Sequence, residues 1–206
     1  MTNILLVISS PRGEDSYSTR VARALAQRLH SGIPGAALTI RDLAREPLPH
    51  IGEAFVAGIA TPAEERSPVQ RAEVGRSDAV VDEVLAADIV IIASAMINFG
   101  IPSTLKAWID HLARAGRTFR YTESGAEGLA GGKKVYLVEA RGGIYSEGAM
   151  QAYNFQESYL RTVLGFLGLD DVDIIAVEGV AFGAEAAGRA LAGALERVKT
   201  LAPRAA

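Results

Sequence analysis

Four short apolar runs, at 4–8, 89–93, 135–138 and 172–177, constrain this chain more than any other feature; three carry no charge and the fourth is interrupted only by Asp173. A strand that buries one face alternates apolar and polar residues, whereas one apolar throughout is buried on both faces, as in a parallel sheet between two layers of helices. A weaker run, Ala37-Leu38-Thr39-Ile40, reads as an edge strand. Between the runs the period lengthens to that of a helix. Val21, Leu25 and Leu29 follow a Ser/Thr-rich start, and Val80, Val84 and Leu85 precede the third strand. Leu105, Trp108, Ile109 and Leu112 form an i, i+3, i+4, i+7 stripe after Pro102. Tyr159, Val163, Phe166 and Leu167 mark another helix, and Leu191, Leu195 and Val198 a last one. Five βα units with right-handed crossovers predict an α/β fold, a doubly wound five-stranded parallel sheet with helices on both faces.

The length of 206 residues suits one such domain spanning 1–206. Two stretches exceed its minimal core. Residues 46–75 are rich in Pro, Gly and charge and read as an excursion with short helical turns. Residues 116–132 carry Arg117-Thr118-Phe119-Arg120-Tyr121-Thr122, alternating in the strand sense, and a glycine-studded return. The segment 128–134 looks superficially like a phosphate loop but precedes a strand, so its lysines read as a solvated turn.

Whole classes of chemistry are disfavoured. A net charge of -3 gives no bias toward nucleic acid or acidic membrane surfaces. The absence of cysteine removes disulfides, thiolate catalysis and thiolate metal sites, and three scattered histidines, His30, His50 and His111, make a metal centre unexpected. The apolar runs fall far short of the roughly 20 residues that span a bilayer. Met1-Thr2-Asn3 leads straight into the first run without the basic segment and cleavage site of a signal peptide, so a cytoplasmic location is expected.

In an open α/β sheet ligands sit beyond the carboxyl ends of the strands, where the strand order reverses. The loops after strands one, three and four are all unusual. The first holds Ser9, Ser10, Ser16, Tyr17, Ser18 and Thr19 and ends at a helix start, where free amides, the helix dipole and serine hydroxyls can hold a phosphate; alternatively Asp15 or Ser16 simply caps the helix. It is neither a Gly-x-Gly-x-x-Gly turn nor a Walker A sequence. The second, Met96-Ile97-Asn98-Phe99-Gly100, suits the edge of a flat heteroaromatic ring, with an Asx-turn at Asn98 as the plainer alternative. The third, Ala140-Arg141-Gly142-Gly143, pairs two glycines that allow a ligand close to the backbone, or forms an ordinary turn.

These residues carry a resemblance. Together with Arg41-Asp42-Leu43-Ala44, the run 113–122 and Leu164-Gly165-Phe166-Leu167-Gly168, they make the sequence similar to the FMN-dependent NADH-azoreductases, which also act as quinone reductases on a flavodoxin-like fold. The resemblance covers residue 4 to about residue 188, and the segment 117–122 separates this family from plain flavodoxins. Of the two orders open to five such units, flavodoxin-like and a short Rossmann variant, it implies the first, 2-1-3-4-5. It implies bound FMN, with NADH or NADPH as hydride donor. Ser10, Ser16, Tyr17 and Ser18 then match the phosphate loop, Met96, Ile97, Asn98 and Phe99 the turn against the isoalloxazine ring, and Ala140, Arg141, Gly142 and Gly143 the loop at its pyrimidine end. The chain departs from the family's frequent Tyr at Ile97, Ser at Ala140 and His at Tyr145.

FMN would carry the redox work while the protein binds and orients, so no catalytic side chain and no metal are expected. Phe119, Tyr121 and Tyr145 are candidates to stack quinone or azo acceptors, which one slot would exchange with the nicotinamide in ping-pong fashion. The competing class is an electron-carrier flavodoxin without nicotinamide chemistry, against which the modest net charge speaks. The helical stripe through Trp108 and the aromatic excursion point to a homodimer, which the resemblance also implies.

Overall fold

The structure, a computed structural model, describes residues 1–201. Five parallel strands, β1 (Asn3–Ile8), β2 (Ala37–Asp42), β3 (Ile89–Ala95), β6 (Lys134–Ala140) and β7 (Asp171–Val177), form one sheet in the order β2-β1-β3-β6-β7. With the separate hairpin of β4 (Phe119–Thr122) and β5 (Gly125–Gly128) set aside, this is the expected 2-1-3-4-5 order, reversing between β1 and β3.

The unbroken apolar strands are explained by their two coats. Ile4, Leu6, Ile8, Ile89 and Ile91 pack under α1 (Tyr17–Gly32) and α6 (Ala184–Thr200), meeting Val21, Leu25, Leu29 and Val198. Leu5, Val7, Val90, Ile92 and Leu137 face the other way, onto α3 (Pro68–Ala86), α4 (Ser103–Leu112) and α5 (Phe155–Phe166). Leu105, Trp108, Ile109 and Leu112 all lie in this second layer, each no more than 2% exposed. The helical stripe therefore covers this chain's own sheet and is not a subunit surface, which corrects the expectation built on it.

Residues 46–75 are more regular than expected. They contain α2 (Glu53–Ala60), and α3 begins inside them at Pro68. Ser67 and Gln70 form a reciprocal capping box and Pro68 occupies the first turn, where its missing N–H costs nothing. Gly58 lets α2 close on α3, because a Cβ there would stand 2.8 Å from Val74 Cγ2. The lysines of the 128–134 segment are not a solvated turn: Lys133 Nζ donates to the carbonyls of Leu85 (2.9 Å) and Ala87 (2.7 Å) at the end of α3, and Lys134 pairs with Asp171 and Asp173.

The hairpin pairs Phe119 with Gly128 through Thr122 with Gly125. It is tied down at its base, where Leu129 N donates to Thr118 O and Ala130 N to Leu167 O, both 2.9 Å. The Phe119 ring lies 4.6 Å from that of Phe166 at the end of α5.

Candidate active site

β3, β6 and β7 end level with one another, with Ala95 opposite Ala140 and Ala140 opposite Val177, and β1 ends at Ile8 opposite Ala93, two residues before the end of β3. Their following loops therefore gather at one edge, at the reversal point.

In the first loop, Ser10, Ser16 and Ser18 are all buried. Ser10 Oγ accepts from Arg12 N at 3.3 Å, and a short 3-10 turn at Gly13–Asp15 brings the chain to α1. Ser16 occupies the cap position, but its side chain makes no capping bond; its Oγ is 3.0 Å from Ser18 Oγ instead. Simple capping is thus not what the serines do. Among the described residues the amides of Tyr17, Ser18 and Thr19 meet no acceptor, since the first helical bond runs from Arg20 N to Ser16 O. Thr19 Oγ1, in the same turn, is buried and unpartnered. Buried polar groups are ordinarily bonded, so this turn is organised to receive an acceptor.

In the second loop, Ile97 and Gly100 exchange both backbone hydrogen bonds at 3.0 Å, and the two residues between them, Asn98 and Phe99, have φ of 48° and 70°. Positive φ at both central positions defines a type I′ turn. Two non-glycine residues in the left-handed region cost about 1–2 kcal/mol each. Such strain persists where the surroundings enforce it, commonly at functional sites. Met96 N donates to Ala140 O at 2.8 Å, joining this turn to the third loop. Ile97, Asn98 and Phe99 are exposed at the rim, and the Asx-turn alternative is not realised: Asn98 uses its backbone to turn the chain. Ser9, Pro11, Ala44, Ile97, Pro102 and Thr104 line an open cleft of about 290 Å³ between the first two loops.

The third loop divides its residues. Gly142 and Gly143 present amides with no acceptor among the described residues. Tyr145 folds back over Gly143, where a Cβ would stand 3.2 Å from its ring. Arg141, expected at the ligand, points the other way. Its guanidinium is fully buried and donates to Gln156 Oε1 (3.1 Å), Glu178 Oε1 (2.9 Å), Glu157 Oε2 (3.2 Å) and Glu139. Sequence reasoning missed these partners. An acid closing a buried strand two residues before an arginine, Glu139-Ala140-Arg141, was the available signal.

Burial pushes the Glu139 carboxyl up from 4.5 to about 7, against the pull of Arg141. The folded chain thus holds this proton more tightly than the unfolded one. The favourable contribution is complete below about pH 4.5 and is lost as pH rises through 7. Glu157 and Glu178, which their hydrogen bonds hold below the ordinary value despite burial, are lost only at more acid pH. Urea midpoints are expected to fall between pH 5 and 8 by the equivalent of up to about 3 kcal/mol, and Glu139→Gln to flatten that fall. An unchanged slope in the variant would reject the assignment.

The aromatic candidates separate as well. Phe99 lies 6.4 Å from Tyr145 and 5.8 Å from Tyr153, a residue the sequence did not single out. Phe119 and Tyr121 pair with each other at 5.5 Å on the hairpin, and Phe119 packs on Phe166. Tyr121 is 76% exposed. Within one chain these two do not join Tyr145 in a common cluster.

A parallel sheet reversing at β1/β3, with three loops gathered at its carboxyl edge and unpaired amides in the first and third of them, defines a protein of the flavodoxin type. The chain belongs to the family described as the flavodoxin-like fold, whose sequence profile matches residues 2–202. It is 54% identical to the FMN-dependent NADH:quinone oxidoreductase of Mesorhizobium japonicum, over 95% of this chain and 93% of that protein. Among solved structures, an azoreductase from Bacillus anthracis superposes with a TM-score of 0.90 at 30% identity, covering 98% of this chain and 99% of that one. An FMN-dependent NADH-azoreductase from the same species, in complex with FMN, gives 0.87 at 25% identity over 98% and 100%.

Proposed function

We propose that this chain is an FMN-dependent NAD(P)H oxidoreductase that reduces quinones and aromatic azo compounds by two-electron, ping-pong transfer. The observation that carries the reading is the set of acceptor-free amides at one sheet edge, at the start of α1 and in the third loop, with the exposed turn at Asn98 and Phe99 beside them. The first turn of α1, with the Tyr17, Ser18 and Thr19 amides, Ser16, Ser18 and the unpartnered Thr19 Oγ1, fits a phosphate bound without a fixed cation. Ser10, from the preceding loop, completes that end. Met96, Ile97, Asn98 and Phe99 would hold one edge of the ring, and Gly142 and Gly143 the other, with the backbone of Ala140 joining the two loops. FMN, when bound, supplies the hydride chemistry. The chain's part is to bind, to orient, and to aim amide dipoles where charge develops on reduction.

FMN should bind at least tenfold more tightly than riboflavin, because a lost charge-assisted hydrogen bond costs about 1.5–3 kcal/mol. Equal affinities, measured by equilibrium dialysis, would remove the phosphate site. The activity is tested by NADH oxidation with menadione after FMN loading. Parallel initial-rate lines at several acceptor concentrations are expected, since one slot must release the nicotinamide before the acceptor enters. Intersecting lines exclude the shared slot, and no NADH oxidation leaves the electron-carrier reading.

The working unit is a homodimer and the location cytoplasmic; residues 1–206 act as one domain. The dimer now rests on the exposed hairpin: Phe119 and Tyr121 would stack acceptors at the partner's slot, opposite Tyr145. Light scattering that finds a fully active species of 21.7 kDa would refute it. Among the described residues no helix is long and apolar enough to cross a membrane, in keeping with the location proposed.

A further inference from the structure

The segment that follows β7 belongs to none of the three loops, yet it governs one of them. Gly179 N donates to Gly143 O (3.0 Å), Val180 N to Arg141 O (3.3 Å) and Ala181 N to Gly142 O (3.0 Å). Three consecutive carbonyls are thereby drawn to one side. The peptides are trans, so the N–H that shares a peptide plane with each carbonyl points the opposite way. The amides of Gly142, Gly143 and Ile144 are therefore turned outward together, and none meets an acceptor among the described residues.

Glu178 locks this arrangement from behind. Its Oε1 accepts from Arg141 Nη1 (2.9 Å) and from Tyr145 N (2.8 Å), and its Oε2 accepts from Ser146 Oγ. One carboxylate thus grips both ends of the 141–146 segment. Burial would raise this carboxyl, but the bonds from Ser146, Tyr145 and Arg141 outweigh it and keep the group ionised at neutral pH. Arg141 is itself held by Gln156, whose Nε2 donates to Ser94 Oγ (2.9 Å) at the end of β3, so the grip extends to the neighbouring strand.

We propose that Glu178 is a positioning residue for the reaction: by holding Arg141 on one side and Tyr145 with Ser146 on the other, it keeps the amides of residues 142–144 directed at the pyrimidine end of bound FMN. The inference rests on the FMN reading above. Outward amides favour negative charge on that end, so their alignment stabilises reduced over oxidised flavin. The charge of Glu178 acts in the opposite sense through space, since a nearby carboxylate disfavours an anionic flavin. The two effects therefore differ in sign, and substitution separates them.

The test compares FMN dissociation constants and the two-electron midpoint potential of bound FMN in wild type, Glu178→Gln, Glu178→Asp and Glu178→Ala, with far-UV circular dichroism as the check on folding. Glu178→Asp keeps the charge but withdraws the carboxylate by one methylene. It and Glu178→Ala are expected to lower the preference for reduced FMN about tenfold, a shift of about 30 mV to more negative potential. Glu178→Gln retains an oxygen for Arg141 and Tyr145 but removes the charge, so it is expected to stay within about twofold of wild type, under 10 mV and not to more negative potential; a fall matching that of Glu178→Ala would overturn the positioning by that oxygen. If Glu178→Ala does not fold, Glu178→Asp carries the test. Potentials unchanged in every variant, or moved to more positive values in both Gln and Ala, overturn the positioning role while leaving the FMN reading intact. A wild-type chain that binds no FMN overturns both.

Discussion

Gly128→Ala is expected to destabilise the chain by about 3–4 kcal/mol, combining the usual cost of overpacking with a lost hydrogen bond. A Cβ at residue 128 would stand 2.1 Å from Gly168 N, 2.3 Å from the Leu167 carbonyl carbon and 2.5 Å from Gly168 Cα. All three are backbone atoms, so no side-chain rotation relieves the collision. Gly168 cannot retreat freely either: its φ is +85°, and its own position faces the Gly128 carbonyl. The hairpin has to lift, giving up the bond from Ala130 N to Leu167 O and the packing of Phe119 on Phe166. A lowered urea midpoint, read by Trp108 emission, checks the prediction; a midpoint within about 1 kcal/mol of wild type would show that the close approach is not maintained in solution.

Trp108→Ala is expected to cost about 3–5 kcal/mol, a fifth or more of the roughly 5–15 kcal/mol stability of an ordinary domain. The indole is fully buried in the layer beneath α4, with Leu105, Ile109 and Leu112 beside it and the sheet residues of β1, β3 and β6 below. Among the described residues its buried Nε1 has no partner, so the residue contributes by filling space, and Trp108→Phe should lose much less. Because this is the sole tryptophan, unfolding of the variant has to be followed by far-UV circular dichroism. A variant of wild-type stability that merely changed oligomeric state would restore the stripe to a subunit surface.

The strands were legible because burial on both faces leaves a nearly unbroken apolar run, whereas their order was left open between two arrangements by the runs themselves and came from the family resemblance. The stripe on α4 shows the limit of that logic. Periodicity identifies the apolar face of a helix but not what covers it, and for Trp108 the cover is the chain's own sheet. At the site, the hydroxyl-rich start of α1 was readable only as a choice between a phosphate end and a helix cap, and the structure shows that the Ser16 side chain makes no capping bond. The role of Arg141 was not. A charged residue in a glycine turn reads as a ligand contact, and only the fold brings Glu139, Glu157 and Glu178 from three elements onto one guanidinium. The turn at Asn98 and Phe99 was found as a loop but not as a strained one, because no glycine marks its positive φ. Hydrogen bonds between Ile97 and Gly100 impose that conformation, and they are absent from any local propensity.

That last turn separates shape from surface. Its form is fixed by backbone atoms of Ile97 and Gly100, while the Ile97 side chain, 40% exposed, takes no part in either bond. Residue 97 can therefore change over generations without moving the amides beside it. Selection is free to rework the appetite of the pocket at one position while the machinery beneath stays as it was inherited.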